Sequence, residues 1–333
     1  MKIGFVNNIS NTADGLIKAL EKEKIQTCFF QFNIGGYKLS KFKRIKQVFF
    51  RILDFFKFIF WLIKEKPDIL HINYGLYGFL GYFAKCPVIL EFHGTDAREH
   101  LVNKNFYNFL TLFSARSANL ICYSTPDLKI IIKKNFPNSF FLPNIVDTNK
   151  FKPKKVKQEY DYFLISKQDR TKGTLKALKA LKKIKKQNPK IKILVLGFGD
   201  YKKALNYLQK NEKFFIIQKE QIPYQKIPKF INQSKIIVGQ FQLGFLGMSE
   251  LEALTLNKPL ITYLNKKLYS KEKYSYLPMI YNVNTENNII KICEFLSQIR
   301  NNSFSNRKWI LKYHSSKNVS RKYLKKIKKL YAN

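Results

Sequence analysis

The chain reads as an α/β protein made of two doubly wound, Rossmann-like domains facing a cleft, and three observations predict this. Short apolar runs alternate with amphipathic stretches along the length, as expected for buried parallel strands joined by helices. The rhythm breaks once, over 147–160, where the chain turns polar and lysine-rich around Pro153, and then restarts. A length of 333 residues suits two domains. We place the domains at 1–150 and 151–333.

Residues 1–6, MKIGFV, form the opening strand rather than a signal peptide, because the apolar core is short and Asn7-Asn8 follows at once. A helix over 16–24 and a strand over 27–32 come next. The segment 41–66 is a helix with Arg51, Asp54 and Lys57 in one sector and Phe, Ile, Leu and Trp61 elsewhere. One reading is a core helix packed on the sheet. The other is a helix lying in the membrane interface, its basic start near anionic head groups. We expect a mixture, with one side on the core and the rest on the membrane.

The runs DILHI (68–72) and VILEFH (88–93) are buried strands. Loops bearing Asn73 and Gly75, then Gly94, Thr95 and Asp96, follow them. Ligands of open α/β sheets bind beyond the carboxyl ends of strands, which places His93 at a site and leaves His71 in the core. His100 and His314 lack such a context and are expected on the surface. Strands over 119–124 and 140–142 complete the first half, the latter running into Pro143-Asn144.

The second half opens with a strand over 161–165, a loop over 166–173 and a helix through Ala177, Leu178 and Leu181. Another strand, 191–196, ends at Gly197-Phe-Gly199. A helix, a strand over 214–217 and a helix from Pro223 to Gln233 lead into the stretch on which the domain centres, 238–262. There a strand enters a loop holding Gly239, Gly244 and Gly247. A helix then opens at Met248-Ser249 with Glu250 and Glu252 in its first turn. This layout places backbone N–H groups and a helix dipole around a phosphate. The two acids equally suit dipole partners or caps. After Tyr263 the chain turns irregular, and helices over 286–298 and 308–331 close it.

Composition narrows the function. Lys and Arg total 61 against 22 Asp and Glu, a formal net charge of +39. Part of that excess belongs to a composition rich in Lys, Asn, Ile and Phe. The remainder favours anionic partners: phospholipid surfaces, nucleotides or nucleic acid. The apolar content excludes a disordered chain. No apolar run is long enough to span a bilayer. Cys28, Cys86, Cys122 and Cys293 are scattered without metal or disulfide spacing, which points to a reducing, cytoplasmic setting.

Taken in order, these residues resemble a family: the retaining GT-B glycosyltransferases of the family-four, group 1 type. The first-half signatures are Asp68-Ile-Leu-His71, His93-Gly94-Thr95-Asp96, Tyr123-Ser124 and Leu142-Pro143-Asn144-Ile-Val-Asp147 with Phe151 and Pro153. Those of the second half are Lys172-Gly173, Gly197-Phe-Gly199, Ile222-Pro223, and Leu251-Glu252-Ala253-Leu254 before Lys258-Pro259. The GT-B resemblance further implies that the last helix, 308–331, packs back on the first domain.

The resemblance implies a donor site. Lys167 and Lys172 match a basic pair that grips the donor diphosphate, and Arg170 lies between them. Lys stands where the family has Arg at 167, which keeps the charge and loses the planar fork. Glu252 matches a ribose-hydroxyl ligand. Gly244 stands where the family has a second Glu that holds the donor sugar, with Gln240 or Gln242 as substitutes. Gly247, Met248 and Ser249 would meet the diphosphate, Gly197 belongs to the same donor-side set, and His93 would contact the sugar. The implied activity is metal-independent transfer of a hexose or N-acetylhexosamine, with retention, from a UDP- or GDP-linked donor. The acceptor would be a lipid-linked or cell-surface glycan, such as lipopolysaccharide core, reached from the anionic inner face of the plasma membrane. No separate cofactor is implied. Two alternatives stand: a GT-B scaffold that has lost turnover, favoured by Gly244, and a basic nucleic-acid-binding protein, against which speak the spread of charge along the whole chain and the lack of an RNA- or DNA-binding motif.

Overall fold

The computed structural model describes residues 1–9, 11–32, 41–270, 272, 274–298 and 305–331, with only the backbone described at 41–49, 329 and 331. Two compact units are present: Met1–Ile145 with Ser316–Asn333, and Val146–Ser315.

The first unit runs β1 (Lys2–Val6), α1 (Thr12–Lys22), β2 (Gln26–Phe30), α2 (Lys41–Glu65), β3 (Ile69–Asn73), a 3-10 segment at Gly75–Phe83, and β4 (Val88–Phe92). It continues through α3 (Thr95–Arg98), α4 (Phe106–Ala115), β5 (Leu120–Tyr123), α5 (Lys129–Asn135) and β6 (Phe140–Phe141). Its sheet has the order β2-β1-β3-β4-β5-β6, parallel throughout. The strand order reverses between β1 and β3. Every residue of β3 and β4 is buried, which is why both read as continuous apolar runs.

The second unit runs β7 (Tyr160–Leu164), α6 (Thr174–Gln187), β8 (Ile193–Leu196), α7 (Lys202–Lys210), β9 (Ile216–Gln218), α8 (Ile227–Asn232) and β10 (Ser234–Val238). Then come α9 (Met248–Thr255), β11 (Leu260–Thr262), α10 (Lys266–Ser270), β12 (Tyr281–Asn282), α11 (Glu286–Gln298) and α12 (Asn306–Tyr313). The order β9-β8-β7-β10-β11-β12, again parallel, is that of a dinucleotide-binding sheet, and its switch point lies between β7 and β10.

Three expectations need correction. The final helix over 308–331 is two helices, because the chain breaks at His314-Ser315 and restarts as α13 (Ser316–Tyr331). Only α13 belongs to the first unit, where Val319, Tyr323 and Ile327 form a stripe against Leu16, Ala19 and Leu20 of α1. The stretch expected to link the domains starts inside the second core: Val146 and Phe151 are fully buried there, so the division falls at 145/146. His314 is buried and stacks with Tyr274, and His100 is half-buried between Tyr74 and Tyr107, so neither is a surface residue.

Helix α2 has one buried side and one exposed apolar side, and its charges divide in an unexpected way. Phe58 is buried, and Trp61 meets Gly4 so closely that a Cβ there would lie 3.0 Å from its ring. Arg51 and Lys57 face solvent, whereas Asp54 is buried. Ile52, Phe56, Phe60 and Ile63, at the spacing of one helix face, are more than half exposed.

Candidate functional site

At the switch point of the second sheet, two loops are stitched together by their own backbones. The Phe241 N–H donates to the Lys172 carbonyl at 2.8 Å, and the Gly239 N–H to the Ile261 carbonyl at 2.9 Å. Gln240, fully buried, takes Thr262 Oγ1 and the Tyr263 N–H on its carbonyl and donates its amide to the Phe245 carbonyl. That donation turns its Oε1 toward Lys172, whose Nζ donates to it at 3.2 Å. A Cβ added at Gly247 would sit 3.5 Å from the same Nζ. Lys172 is thereby held over the start of α9.

Gly247 caps that helix without a side chain. The first-turn N–H groups, at Met248 and Ser249, have no intrahelical acceptor. Together with the helix dipole and the Lys172 charge they are arranged so that an anion could be received there. Lys167 lies in the same loop and pairs with Asp169 at 3.2 Å, its side chain about half exposed. Asp169 in turn accepts from the Thr171 N–H at 2.9 Å and its hydroxyl at 2.7 Å, which fixes the turn that presents Lys172.

The remaining donor-side candidates separate. Arg170 and Gln242 line a neighbouring open pocket with Gly173, Lys176 and Tyr201. Gly197 serves packing: its N–H donates to the Gln218 carbonyl at 2.8 Å, and a Cβ there would strike Ile217. Gly244 has φ +73°, and a Cβ on it would lie 2.9 Å from that of Asn265. The backbone therefore demands glycine where the family has glutamate.

Glu252 is buried, and the Tyr224 hydroxyl bonds its carboxylate. Lys150 Nζ sits 3.4 Å above the Tyr224 ring. Burial pushes the Glu252 carboxyl up to about 8, although the Tyr224 bond and the Lys150 charge act in the opposite sense. Sequence reasoning missed both partners. Tyr224 directly follows the Ile222-Pro223 signature, whereas Lys150 lay in the stretch expected to be linker. Glu250 was also missed as a site group: it is 1% exposed, and its Oε1 accepts from the Ser166 hydroxyl at 3.2 Å.

In the first unit, the carboxyl ends of β3 and β4 hold a different arrangement. Asn73 donates its amide to the carbonyls of Val6 and Asn7, so its Oδ1 receives His93 Nε2 at 2.9 Å. That nitrogen must carry the proton, because the amide oxygen can only accept. Nδ1 of His93 faces Glu91 Oε1 at 4.0 Å. Glu91 Oε2 bonds His71 Nε2 at 3.0 Å, and His71 Nδ1 meets the Tyr323 hydroxyl at 2.9 Å. Burial alone would raise the Glu91 carboxyl, but the two histidines bring it below the ordinary glutamate value. His71, Glu91 and Cys122 also present metal-type ligand atoms within 4.8 Å of one another. Both His71 nitrogens are engaged, and burial pushes the Cys122 thiol well up, away from the thiolate a metal binds. Asp96, fully buried, accepts from the N–H groups of Gly75, His93 and Gly94 and so builds the turn after β4.

A family model for Glycosyltransferase Family 4 matches residues 11–150, and one for Glycosyl transferases group 1 matches residues 146–269. No curated relative matches by sequence. Among solved structures, a sucrose-phosphate synthase from Thermosynechococcus elongatus is similar over 100% of this chain and 99% of its own, with 12% identity and a TM-score of 0.73. Anabaena Alr3699/HepE in complex with UDP and glucose is similar over 99% and 100%, with 12% identity and a TM-score of 0.71. A glycosyltransferase from Rickettsia africae ESF-5 is similar over 100% and 99%, with 14% identity and a TM-score of 0.70. Identities this low speak for the fold, and the family models speak for the lineage. The chain belongs to the glycosyltransferases of the family-four, group 1 type, built on the GT-B fold.

Proposed function

We propose that the protein transfers a hexose or N-acetylhexosamine, with retention at the anomeric carbon, from a nucleoside-diphosphate sugar to a lipid-linked or cell-surface glycan. The observation that carries the reading is Lys172 Nζ held over the uncapped start of α9, at the switch point of the second sheet. A departing diphosphate gathers negative charge as its bond to the sugar breaks. In this reading Lys172, Lys167 and the α9 dipole stabilise that charge by electrostatics, without a metal. Glu252 takes the ribose hydroxyls in the same proposal. That the HepE structures hold UDP, UDP-glucose or UDP with glucose supports this donor class.

The test is thermal stabilisation by UDP, GDP and a short oligonucleotide at moderate salt. A shift specific to one diphosphate, weakened about tenfold to a hundredfold in affinity by Lys172→Ala, is expected. Equal shifts with every polyanion would sink the donor reading and leave only charge. Retention is read from the anomeric proton coupling of the first product formed.

The acceptor part rests on the surface of the first unit. The exposed face of α2 continues through ring contacts, Phe56 to Phe55, Phe55 to Phe83, Tyr82 to Phe113 on α4, and Phe113 to Phe109. Phe106 and Phe109 are each more than 60% exposed, so the apolar surface spans two helices. Among the described residues no helix is long and apolar enough to cross a membrane. This surface suits an interfacial rather than a spanning mode, at an anionic inner leaflet drawn by the basic charge. Trp61 is half-buried against Gly4 and Phe58, and the Phe49 side chain lies outside the described residues. The informative variant is therefore Phe56→Ser with Phe60→Ser and Ile63→Ser. We expect it to weaken binding to phosphatidylglycerol vesicles at least about tenfold with the melting temperature retained. Unchanged vesicle binding would remove the membrane from the proposal.

A further inference from the structure

Glu250 is a charged group at the donor site that neither the family resemblance nor the proposed chemistry uses. It occupies the third position of α9, and its side chain folds back toward the helix start rather than out to solvent. Three observations fix it there. Its Oε1 takes the Ser166 hydroxyl at 3.2 Å. A Cβ at Gly239 would lie 2.9 Å from its Cγ and 3.0 Å from Oε1, so glycine at 239 makes room for the carboxyl. A Cβ at Gly247 would lie 2.9 Å from Glu250 Oε2, 3.5 Å from Lys172 Nζ and 3.7 Å from Gln240 Nε2. A carboxylate oxygen, an ammonium and an amide nitrogen thus converge on one point beside the N-terminal turn.

We infer that Glu250 is a resident counter-anion of this site that weakens binding of the diphosphate and favours release of the nucleoside diphosphate product over retention. The inference rests on the donor reading above. The helix dipole and Lys172 attract any anion, and the buried carboxylate already answers part of that attraction. An incoming diphosphate is held against a like charge at short range in a poorly solvated place. The opposition is unequal for substrate and product. In the sugar donor each phosphate is doubly substituted, whereas the free nucleoside diphosphate ends in a singly substituted phosphate whose second ionisation falls near neutral pH and adds up to one further negative charge. The carboxylate therefore penalises product more than donor.

The experiment is calorimetric titration of the full chain, as wild type, Glu250→Gln and Glu250→Ala. Probes are UDP, GDP, UDP-glucose and GDP-mannose, with uridine and guanosine as controls without phosphate. Both variants should bind the preferred diphosphate at least about tenfold tighter and its sugar ester by a smaller factor, with the nucleoside unchanged. Affinity for the diphosphate that is unchanged or weaker in both variants overturns the inference while the donor reading survives. Equal gains for diphosphate and sugar ester overturn the product-release part. Failure of both variants to fold makes Glu250 a structural cap and likewise overturns it. A wild type that binds no nucleoside diphosphate removes the donor reading and this inference together.

Discussion

The two sheets end at their switch points in opposite ways. At the carboxyl ends of β3 and β4, Asn73 bonds His93 and Glu91 bonds His71, which meets Tyr323, while His93 faces Glu91 at 4.0 Å. Beyond β7 and β10 there are glycines and an uncapped helix, so backbone N–H groups lie open beside Lys172, Gln240 and the Glu250 carboxylate. The same topological position thus does different work. Side chains that satisfy each other stiffen a loop, while a glycine loop leaves its donors for a ligand. Variants in the first unit should therefore register in stability and those in the second in binding.

The largest effect expected from that contrast comes from Glu91→Ala. It strands two buried histidines without their carboxylate, which should cost about 3–5 kcal/mol. For a unit of this size that is a melting temperature lower by roughly 10 °C. The folded Glu91 carboxyl lies below its unfolded value. Its contribution is therefore present above the unfolded value of about 4.3 and is lost as the pH falls toward the folded one. The gap between wild type and variant should shrink in acid. Lys172→Ala should do the reverse: UDP or GDP binding weakens, and the melting temperature without ligand stays within about 1–2 °C of wild type. Similar melting losses in both variants would erase the distinction between the two sites.

A smaller effect with the opposite pH sign belongs to Glu252. Its folded value is about 8, against about 4.3 unfolded. Between those values the folded state keeps a proton that the unfolded state releases, so stability falls as pH rises through the window and levels off above it. Glu252→Gln carries no such dependence. Without ligand its stability relative to wild type should grow from pH 5 to pH 8, by on the order of a few kcal/mol. Denaturant melts at the two pH values measure this, and a constant difference would mean that Glu252 is ionised in the fold. The first unit is then acid-sensitive through Glu91 and the second alkali-sensitive through Glu252.

How far each site was legible in the sequence follows the same division. Runs such as Asp68-Ile-Leu-His-Ile and Ser234-Lys-Ile-Ile-Val declared the strands, because parallel strands are covered on both faces. Lys172, the glycines and the start of α9 were legible because an anion cradle is assembled from short, local stretches. Tyr224 and Lys150 around Glu252, and Ser166 against Glu250, come from remote stretches, and single-chain spacing carries no signal for such meetings. The sector of α2 that carries its charges was visible, but which of them faces inward was not. Asp54 is buried while Phe56 and Phe60 are exposed, a reversal of the usual ordering of side chains. The final helix was over-extended because the break at His314-Ser315 contains neither Gly nor Pro.

The finest test concerns Gly244, where the family resemblance alone suggests restoring a glutamate. The backbone there has φ +73°, and the Cβ position is closed by Asn265 at 2.9 Å and the Tyr263 ring at 3.1 Å. Any side chain meets both the left-handed backbone cost and the crowding, so Gly244→Glu reports strain before it reports chemistry. Gly244→Ala isolates the strain. It should lower stability by about 1–2 kcal/mol, because the Asn265 N–H, which donates to the Gly244 carbonyl at 2.9 Å, holds the loop in place. Diphosphate binding should weaken in step, since Phe245, Leu246 and Gly247 hang between this turn and α9. If Gly244→Ala melts with wild type, the loop has slack. The absent glutamate would then be a choice made by this enzyme's sugar rather than by its backbone. If it melts lower while binding is unchanged, the turn and the anion site are mechanically separate, and the contrast between the two switch points would not extend to this loop.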